Sequence, residues 1–199
     1  MTMRRIRILL WLVVGLAALA GLVIALSPMP TDAPIASSQS MTEVGGPFTL
    51  TGTDGKPFSS ERLAGRPFAL FFGFTHCPDV CPTTLARLAR LRTKLGKGDS
   101  FAIVLVSIDP ERDTPAVMAR YAGLFGTPVI ALTGTMAAIE RVKQQYGVYS
   151  AKVPQEGGDF GVDHTATVFL IDRAGKFMAT IAPDEGDPTA RAKLERLAS

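Results

Sequence analysis

The hydrophobic and polar positions along the chain divide it into three parts. Residues 8–26 form an apolar run without a single polar or charged side chain, and a stretch rich in proline and serine follows over residues 27–45. From residue 46 onward, continuous apolar runs alternate with apolar positions at helical spacing. The pattern therefore predicts a membrane anchor, a flexible tether and one globular domain over residues 46–199.

Within that domain, the apolar pattern predicts strands that alternate with helices. The predicted strands cover residues 48–51, 57–59, 68–74, 101–108, 129–132, 165–171 and 177–181. Helical spacing of apolar residues covers 85–95, 118–125, 139–146 and 188–198. This alternation predicts an α/β fold with helices on both faces of a sheet. Residues 148–163 show no periodicity, so we predict a long loop there, which in a compact domain is typical of a functional segment.

The apolar run at the N-terminus has the length of a transmembrane helix. At about 1.5 Å per residue it spans roughly 29 Å, close to the thickness of a bilayer's hydrocarbon core. Arg4, Arg5 and Arg7 precede it and should stay in the cytoplasm. We therefore expect residues 1–26 to form a cytoplasmic tip and a single-pass anchor in the inner membrane, with the domain on the periplasmic side. A signal peptide cleaved after Ala18-Leu19-Ala20 is the alternative, and it also places the domain outside the cytoplasm.

Charge and cysteine content exclude two classes of protein. The net charge of +3 comes from the three N-terminal arginines, because the rest of the chain has 18 basic and 18 acidic side chains. A neutral domain offers no footprint for nucleic acid, so no nucleic-acid partner is expected. The two cysteines are too few for a disulfide scaffold or an all-cysteine zinc site.

Both cysteines lie in one short motif, Gly-Phe-Thr-His-Cys-Pro-Asp-Val-Cys-Pro (73–82). Cys77 and Cys81 occupy the turn that leaves a predicted buried strand and enters a predicted helix. The unsatisfied N–H groups and the dipole at a helix N-terminus favour thiolates, so we expect a lowered pKa for both thiols. Because residues four apart share one side of a helix, both sulfurs should face the same way.

Three roles are compatible with this pair of cysteines. A structural disulfide would close a five-residue loop and stabilise the fold by only about 2 kcal/mol. A redox-active disulfide would be plausible in an oxidising compartment. A metal site would need a further ligand, and the chain has only His76 and His164 to supply an imidazole. Two thiolates and one imidazole suit copper, as Cu(I) or Cu(II), whereas a structural zinc site needs a fourth ligand.

His164 distinguishes the redox role from the metal role. Its surroundings look like the Gly-Val-Pro-Thr stretch of thioredoxin-like reductases, in which a cis-proline packs beside the dithiol. Here Asp163-His164 takes the place of that proline, at the start of the strand expected beside the cysteines. This position favours His164 as a metal ligand. Asp163 could orient the imidazole or cap the turn, and both interpretations stay open. His76 adjoins Cys77 and is expected to point away from the site.

Several motifs together resemble the Sco/SenC family. They are the cysteine motif (73–82), Val-Ser-Ile-Asp-Pro-Glu-Arg-Asp-Thr-Pro (106–115), Leu-Thr-Gly (132–134), Tyr-Gly-Val-Tyr (146–149) and Val-Asp-His-Thr (162–165). The resemblance covers nearly all of residues 46–199. It implies a thioredoxin-like fold, with a central mixed sheet flanked by helices, on an N-terminal transmembrane anchor.

The resemblance also implies a function. It implies that one copper ion per chain is bound by the residues matching Cys77, Cys81 and His164. It further implies a role in assembling the binuclear copper site of cytochrome c oxidase subunit II, or of another copper-site apoprotein, with a thiol reductant as a second partner. Asp109, Glu111, Arg112 and Asp113 match the family pattern too, and they could dock a partner or simply form a turn before a helix cap.

A different function class stays open at this point. The same dithiol could reduce the copper-ligand cysteines of the target as a thiol–disulfide oxidoreductase, or sense copper or redox state. Only the dithiol form can coordinate a metal, so the two activities are linked through the Cys77–Cys81 disulfide. Whether the chain is an enzyme is therefore undecided by the sequence, and no catalytic residue is assigned.

Overall fold

The computed structural model describes residues 4, 11–12, 44–96, 98–154 and 160–199. The chain forms two units, Met1–Met41 and Thr42–Ser199. In the first unit, Arg4, Trp11 and Leu12 are helical and exposed. No helix in the described ranges combines the length and the apolar character needed to cross a membrane. Apart from Arg4, Trp11 and Leu12, the predicted anchor or signal peptide lies outside these ranges, and so does nearly all of the predicted tether.

The second unit consists of alternating strands and helices. The strands are β1 (Thr49–Gly52), β2 (Pro57–Ser59), β3 (Phe68–Gly73), β4 (Ala102–Ser107), β5 (Val129–Thr133), β6 (Ser150–Pro154), β7 (Phe160–His164), β8 (Val168–Ile171) and β9 (Phe177–Ile181). The helices are α1 (Val80–Lys94), α2 (Pro115–Ala122), α3 (Met136–Tyr146) and α4 (Asp187–Leu197). Short 3-10 turns cover Ser60–Leu63 and Gly123–Phe125.

The main sheet is mixed, as predicted. Its strand order is β2-β1-β5-β4-β3-β8-β9, with β3, β4 and β5 parallel and the remaining pairs antiparallel. Strands β3 and β4 are buried along their whole length, which explains their continuous apolar sequences. The predicted α/β class is confirmed, including the β8–β9 hairpin and the closing helix α4.

The register of the central strands brings three loops to one edge of the sheet. Gly73 at the end of β3 lies beside Ser107 at the end of β4, because the two strands are parallel. Strand β8 runs antiparallel to β3 and begins opposite Phe71, where Val168 pairs with it. The segments after β3, after β4 and before β8 therefore meet at the same edge.

Local sequence chemistry sets the ends of the helices next to these strands. The Thr114 hydroxyl accepts a hydrogen bond from the Val117 N–H at the start of α2, and Pro115 occupies the first turn. Thr135 caps α3 in the same way, through the Ala138 N–H. Helix α3 ends at Gly147, whose φ of 64° is left-handed and favours glycine. These boundaries agree with the sequence prediction.

The region before β8 differs from its prediction in two respects. Residues 148–163 are not one loop, since β6 and β7 pair as an antiparallel two-stranded sheet; residues 155–159 between them lie outside the described ranges. The strand predicted from residue 165 begins only at Val168. The reason is that the backbone up to residue 165 bonds to the β6 side instead, with the Thr165 N–H donating to the Tyr149 carbonyl. His164 therefore ends β7 rather than starting β8.

Candidate metal centre

The structure brings together the three residues that the sequence singled out. The sulfurs of Cys77 and Cys81 and a ring nitrogen of His164 all lie within 4.8 Å of one another. The Cys81 Sγ is 3.5 Å from the His164 Nε2. Both cysteines are free thiols. Two soft sulfur donors and one imidazole nitrogen thus converge at the edge where the loops meet.

The two cysteines enter the site from the turn between β3 and α1. Cys77 lies before the helix, and its N–H donates to the Phe74 carbonyl at 3.3 Å. Cys81 is the second residue of α1, and its N–H donates to the Cys77 Sγ at 3.4 Å. A free N–H at the helix N-terminus is thus satisfied by a thiol sulfur instead of a capping side chain. The contact fixes the two cysteines relative to each other.

Burial separates the two thiols chemically. Cys81 is fully buried, and this burial raises the pKa of its thiol far above the ordinary value, with smaller contributions from the hydrogen bond and charge of Cys77. The expectation that the helix N-terminus lowers both thiol pKa values is therefore wrong for Cys81, because loss of hydration is the largest effect and outweighs the backbone hydrogen bond with Phe74 that lowers the pKa. A metal that binds here must displace the Cys81 proton. Cys77 is half-buried and can be reached from solvent.

The imidazole of His164 presents one nitrogen to the sulfurs. Its Nδ1 lies 3.1 Å from the Thr165 carbonyl oxygen, which can only accept, so Nδ1 carries the hydrogen and Nε2 keeps its lone pair. The rings of Phe71 and Phe74 contact the imidazole edge-on, with centroids at 6.1 and 5.8 Å. Burial lowers the pKa of His164, which favours the neutral form that can bind a metal.

Two other residues near the site have different positions. His76 is half exposed; its Nδ1 lies 3.2 Å from the Thr75 hydroxyl and 3.9 Å from Asp113, away from the three donors. Asp163 is exposed on β7, where it pairs with Ala151. It acts on the imidazole through its charge, which raises the His164 pKa slightly against the effect of burial. The contact that orients the ring comes from the Thr165 carbonyl.

Sequence reasoning missed the support beneath the cysteine turn. The buried carboxylate of Asp113 accepts hydrogen bonds from the Thr75 N–H, from the Thr75 hydroxyl at 2.6 Å and from the Ser107 hydroxyl at 2.6 Å. Thr75 lies two residues before Cys77, so Asp113 ties the cysteine turn to the segment after β4. The match of Asp113 to the family pattern was the only signal for this role. Thr75 and Asp113 lie 38 positions apart, so no local pattern in the sequence predicts their contact.

The donor set fits a monovalent or divalent copper ion. Bonds of the lengths that zinc forms, about 2.3 Å to sulfur and 2.0 Å to nitrogen, would separate the donors of a trigonal site by about 4 Å, and copper is an ion of similar size. The present spacing, 3.5 Å for one pair and 4.8 Å at most, is close to that value. Thiolates select soft ions, and imidazole suits copper and zinc alike. A structural zinc site needs four ligands. In the described part of the chain, the cluster of potential ligands here consists of Cys77, Cys81 and His164 without a fourth residue.

A family model and several known sequences match most of this chain. The family model for SCO1/SenC matches residues 36–199. The mitochondrial protein SCO2 of Saccharomyces cerevisiae is 37% identical over 155 residues, which is 76% of this chain and 52% of the yeast protein. The chain thus spans about half the length of that relative. The SCO2-like protein RP587 of Rickettsia prowazekii is 34% identical over 181 residues, which is 87% of each chain.

A solved structure has the same fold as the second unit. The copper-bound structure of ScoI from Bradyrhizobium japonicum superimposes with a TM-score of 0.70 at 42% sequence identity, and the match covers 77% of this chain and 99% of that one. With the mixed sheet and its flanking helices, this likeness confirms the predicted thioredoxin-like fold.

Proposed function

Since this chain belongs to the SCO1/SenC family, we propose that it is a copper metallochaperone that binds one copper ion, as Cu(I) or Cu(II), through Cys77, Cys81 and His164. The ion is cargo: it is held by the two sulfurs and the imidazole and then passed to an apoprotein. The recipient proposed is subunit II of cytochrome c oxidase, or another protein with a copper site that contains cysteine.

One observation carries the proposal. Cys81 Sγ and His164 Nε2 are 3.5 Å apart, while His164 Nδ1 donates to the Thr165 carbonyl, so the lone pair of Nε2 faces the sulfur. A histidine that served only to pack the core would not need its lone pair directed at a sulfur. The bond to Thr165 raises the basicity of the imidazole and fixes its orientation. The ring is thereby prepared to act as the third ligand.

The apolar run of residues 8–26 supports the further proposal of a membrane anchor. Its length, and the arginines before it, are typical of a single-pass helix with the domain on the periplasmic side. The stretch over residues 27–45 would then act as a tether that lets the domain reach a membrane-bound recipient. A thiol reductant is proposed as a second partner, because the site binds metal only while its cysteines are reduced.

An anaerobic copper titration of the domain tests the function. The reduced wild type is expected to bind one copper per chain, and the protein with a Cys77–Cys81 disulfide close to none. His164→Ala should weaken binding by more than the roughly 10–100-fold typical of changes outside the ligand set. His76→Ala is the matched control, and its affinity should equal that of the wild type. Tight binding by His164→Ala would show that the ligand assignment is wrong.

The unequal burial of the two thiols favours a second candidate, a thiol–disulfide oxidoreductase. The reachable Cys77 would attack a disulfide of the target as a thiolate, forming a mixed disulfide and releasing one target thiolate. Cys81, once deprotonated, would then displace the second target sulfur and close the Cys77–Cys81 disulfide, so that two electrons pass to the target. His164→Ala should spare this exchange, since thiol exposure and pKa govern it. Oxidase assembly that survives His164→Ala at low copper but fails in Cys77→Ser would favour this candidate over delivery.

A further inference from the structure

The strand that carries His164 belongs to a small sheet of its own. In the described part of the chain, β6 and β7 pair with each other and not with the seven-stranded sheet. A two-stranded hairpin is at best marginally stable by itself in water. The position of the imidazole therefore depends on contacts that hold β7 against the rest of the domain. Val162 of β7 packs against the core, and Phe71 and Phe74 contact the imidazole itself.

Further contacts come from residues 107–113, the last residue of β4 and the segment after it, which we call the brace loop. The guanidinium of Arg112 lies 3.9 Å from the centroid of the Phe160 ring, and its Nη1 donates to the Phe160 carbonyl at 3.2 Å. Phe160 is the first residue of β7. One arginine thus contacts both the side chain and the backbone of the strand that ends at His164.

A second cation faces the same aromatic ring from the partner strand. Lys152 of β6 places its Nζ 4.4 Å from the centroid of Phe160 and forms an ion pair of 2.6 Å with Glu111 of the brace loop. Glu111 and Lys152 are both well exposed, so this pair contributes little by itself. The Arg112 side chain is only 19% exposed, so its contact with the ring is the stronger of the two.

Hydrogen bonds to buried side chains hold the brace loop in place. The Nε of Arg112 donates to the buried carboxylate of Asp109, whose N–H donates to the Ser107 hydroxyl at 3.0 Å. Ser107 in turn donates to Asp113, which accepts from Thr75 beside the cysteines. A continuous path of hydrogen bonds therefore runs from the cysteine turn to β7. It joins the two parts of the site without passing through any of the three donor atoms.

We propose that Arg112 is a positioning residue for His164: by holding Phe160 at the start of β7, it keeps the imidazole within reach of the Cys81 sulfur before any metal arrives. The identity of the metal rests on the function proposed above, whereas the positioning of β7 does not. Removal of Arg112 would leave the thiols intact and free the imidazole to move away. Arg112 thus acts on metal affinity through the position of His164.

Three variants test this role. Arg112→Lys keeps the charge and the ion pair with Asp109 but loses the planar group that covers the ring. Phe160→Leu removes the ring and keeps an apolar side chain, whereas Phe160→Tyr keeps the ring and serves as the conservative variant. Arg191→Lys is the matched control, since Arg191 pairs with Glu195 on the exposed surface of α4.

The first measurement uses the protein without metal. Hydrogen exchange of the β7 amides, followed by NMR together with the His164 ring signals, should be faster in Arg112→Lys and Phe160→Leu. The wild type, Phe160→Tyr and Arg191→Lys should exchange alike. Unchanged exchange in both Arg112→Lys and Phe160→Leu would overturn the proposal, whatever the protein does with copper.

The second measurement is a double-variant cycle of copper affinity under reducing conditions. Arg112→Lys and Phe160→Leu should each weaken binding by about tenfold, with Phe160→Tyr near the wild type. In a His164→Ala background, the same substitutions should change affinity by less than about twofold. An equal loss in both backgrounds would overturn the proposal, since Arg112 would then act through the cysteines or general stability. A wild type that binds no copper would instead contradict the proposed function.

Discussion

Gly73 leaves the space in which the buried sulfur of Cys81 lies. A β-carbon at position 73 would be 3.0 Å from the Cys81 Sγ and 2.8 Å from the ring of Phe71. The distance to Phe71 is shorter than packed atoms show, and the distance to Cys81 would require the sulfur to move by a few tenths of an ångström. Phe71 is fully buried and is packed on all sides. The last residue of β3 therefore determines, by having no side chain, how closely α1 and its cysteine approach the sheet.

Substitution of this glycine tests the packing around the cysteine. Gly73→Ala should lower the free energy of unfolding by about 1–3 kcal/mol, because the added methyl group overfills a closed space. It should also weaken copper binding by about tenfold, because the Cys81 sulfur must shift. Urea denaturation and copper titration measure the two effects. Gly123→Ala is the control, since a β-carbon there meets nothing within 4 Å. Equal behaviour of the two variants would contradict this account of Gly73.

The unequal burial of the cysteines predicts unequal reactivity. Iodoacetamide should modify Cys77 at least about tenfold faster than Cys81 in the native, reduced, metal-free protein, because a buried thiol with a raised pKa supplies little thiolate. Mass spectrometry of the peptides that contain each cysteine gives the two rates. In urea the difference should disappear. Faster modification of Cys81 under native conditions would argue against the burial described for it.

The hydrogen bonds to Asp113 predict a large effect on stability. Asp113→Ala should lower the free energy of unfolding by about 3 kcal/mol, because it leaves the Thr75 N–H, the Thr75 hydroxyl and the Ser107 hydroxyl without their buried acceptor. Chemical denaturation of the metal-free protein measures the change. Asp184→Ala is the control, since Asp184 is exposed and its loss should matter by less than about 0.5 kcal/mol. Comparable losses in both variants would rule out a special role for Asp113.

The raised pKa of Tyr146 predicts that the protein loses stability at alkaline pH. Burial raises the pKa of Tyr146 to about 12, compared with about 10 in an unfolded chain. Above pH 10 the unfolded chain releases a proton that the folded protein retains, so stability is complete below pH 10 and falls as the pH rises toward 12. The wild type should lose about 1 kcal/mol more than Tyr146→Phe between pH 8 and pH 11. A gap between the two proteins that stays constant with pH would disprove the effect.

Local signals in the sequence were sufficient for most of the fold. Strands β3 and β4 are continuous apolar runs because both of their faces are buried, and Thr114, Thr135 and Gly147 mark helix ends through contacts within a few residues. The convergence of the cysteines with His164 was also predictable, because β8 pairs with β3 and His164 lies only four residues before β8 begins. Such features depend on short-range chemistry or on the topology of the sheet.

The remaining features depend on contacts that no local pattern records. Strand β6 is mostly exposed, so it lacks the alternation of apolar residues that would have predicted it. The raised pKa of Cys81 arises from the packing of the assembled core around it, which the position of the cysteine in the sequence does not reveal. The contact of Arg112 with Phe160 joins residues 48 positions apart, and it became visible only with the strands in place.

The separation of 83 positions between Cys81 and His164 gives metal loading a second consequence. An unfolded or incompletely closed chain offers only two sulfurs four residues apart, whereas the folded sheet adds the imidazole from the far end of the sequence. A ligand that binds only the native state stabilises it by mass action, by about 2.7 kcal/mol at a hundred times its dissociation constant. Under the proposed function, copper uptake therefore favours correctly folded copies: a chain without the third ligand in place holds copper more weakly, so less of the cargo is carried by misfolded protein.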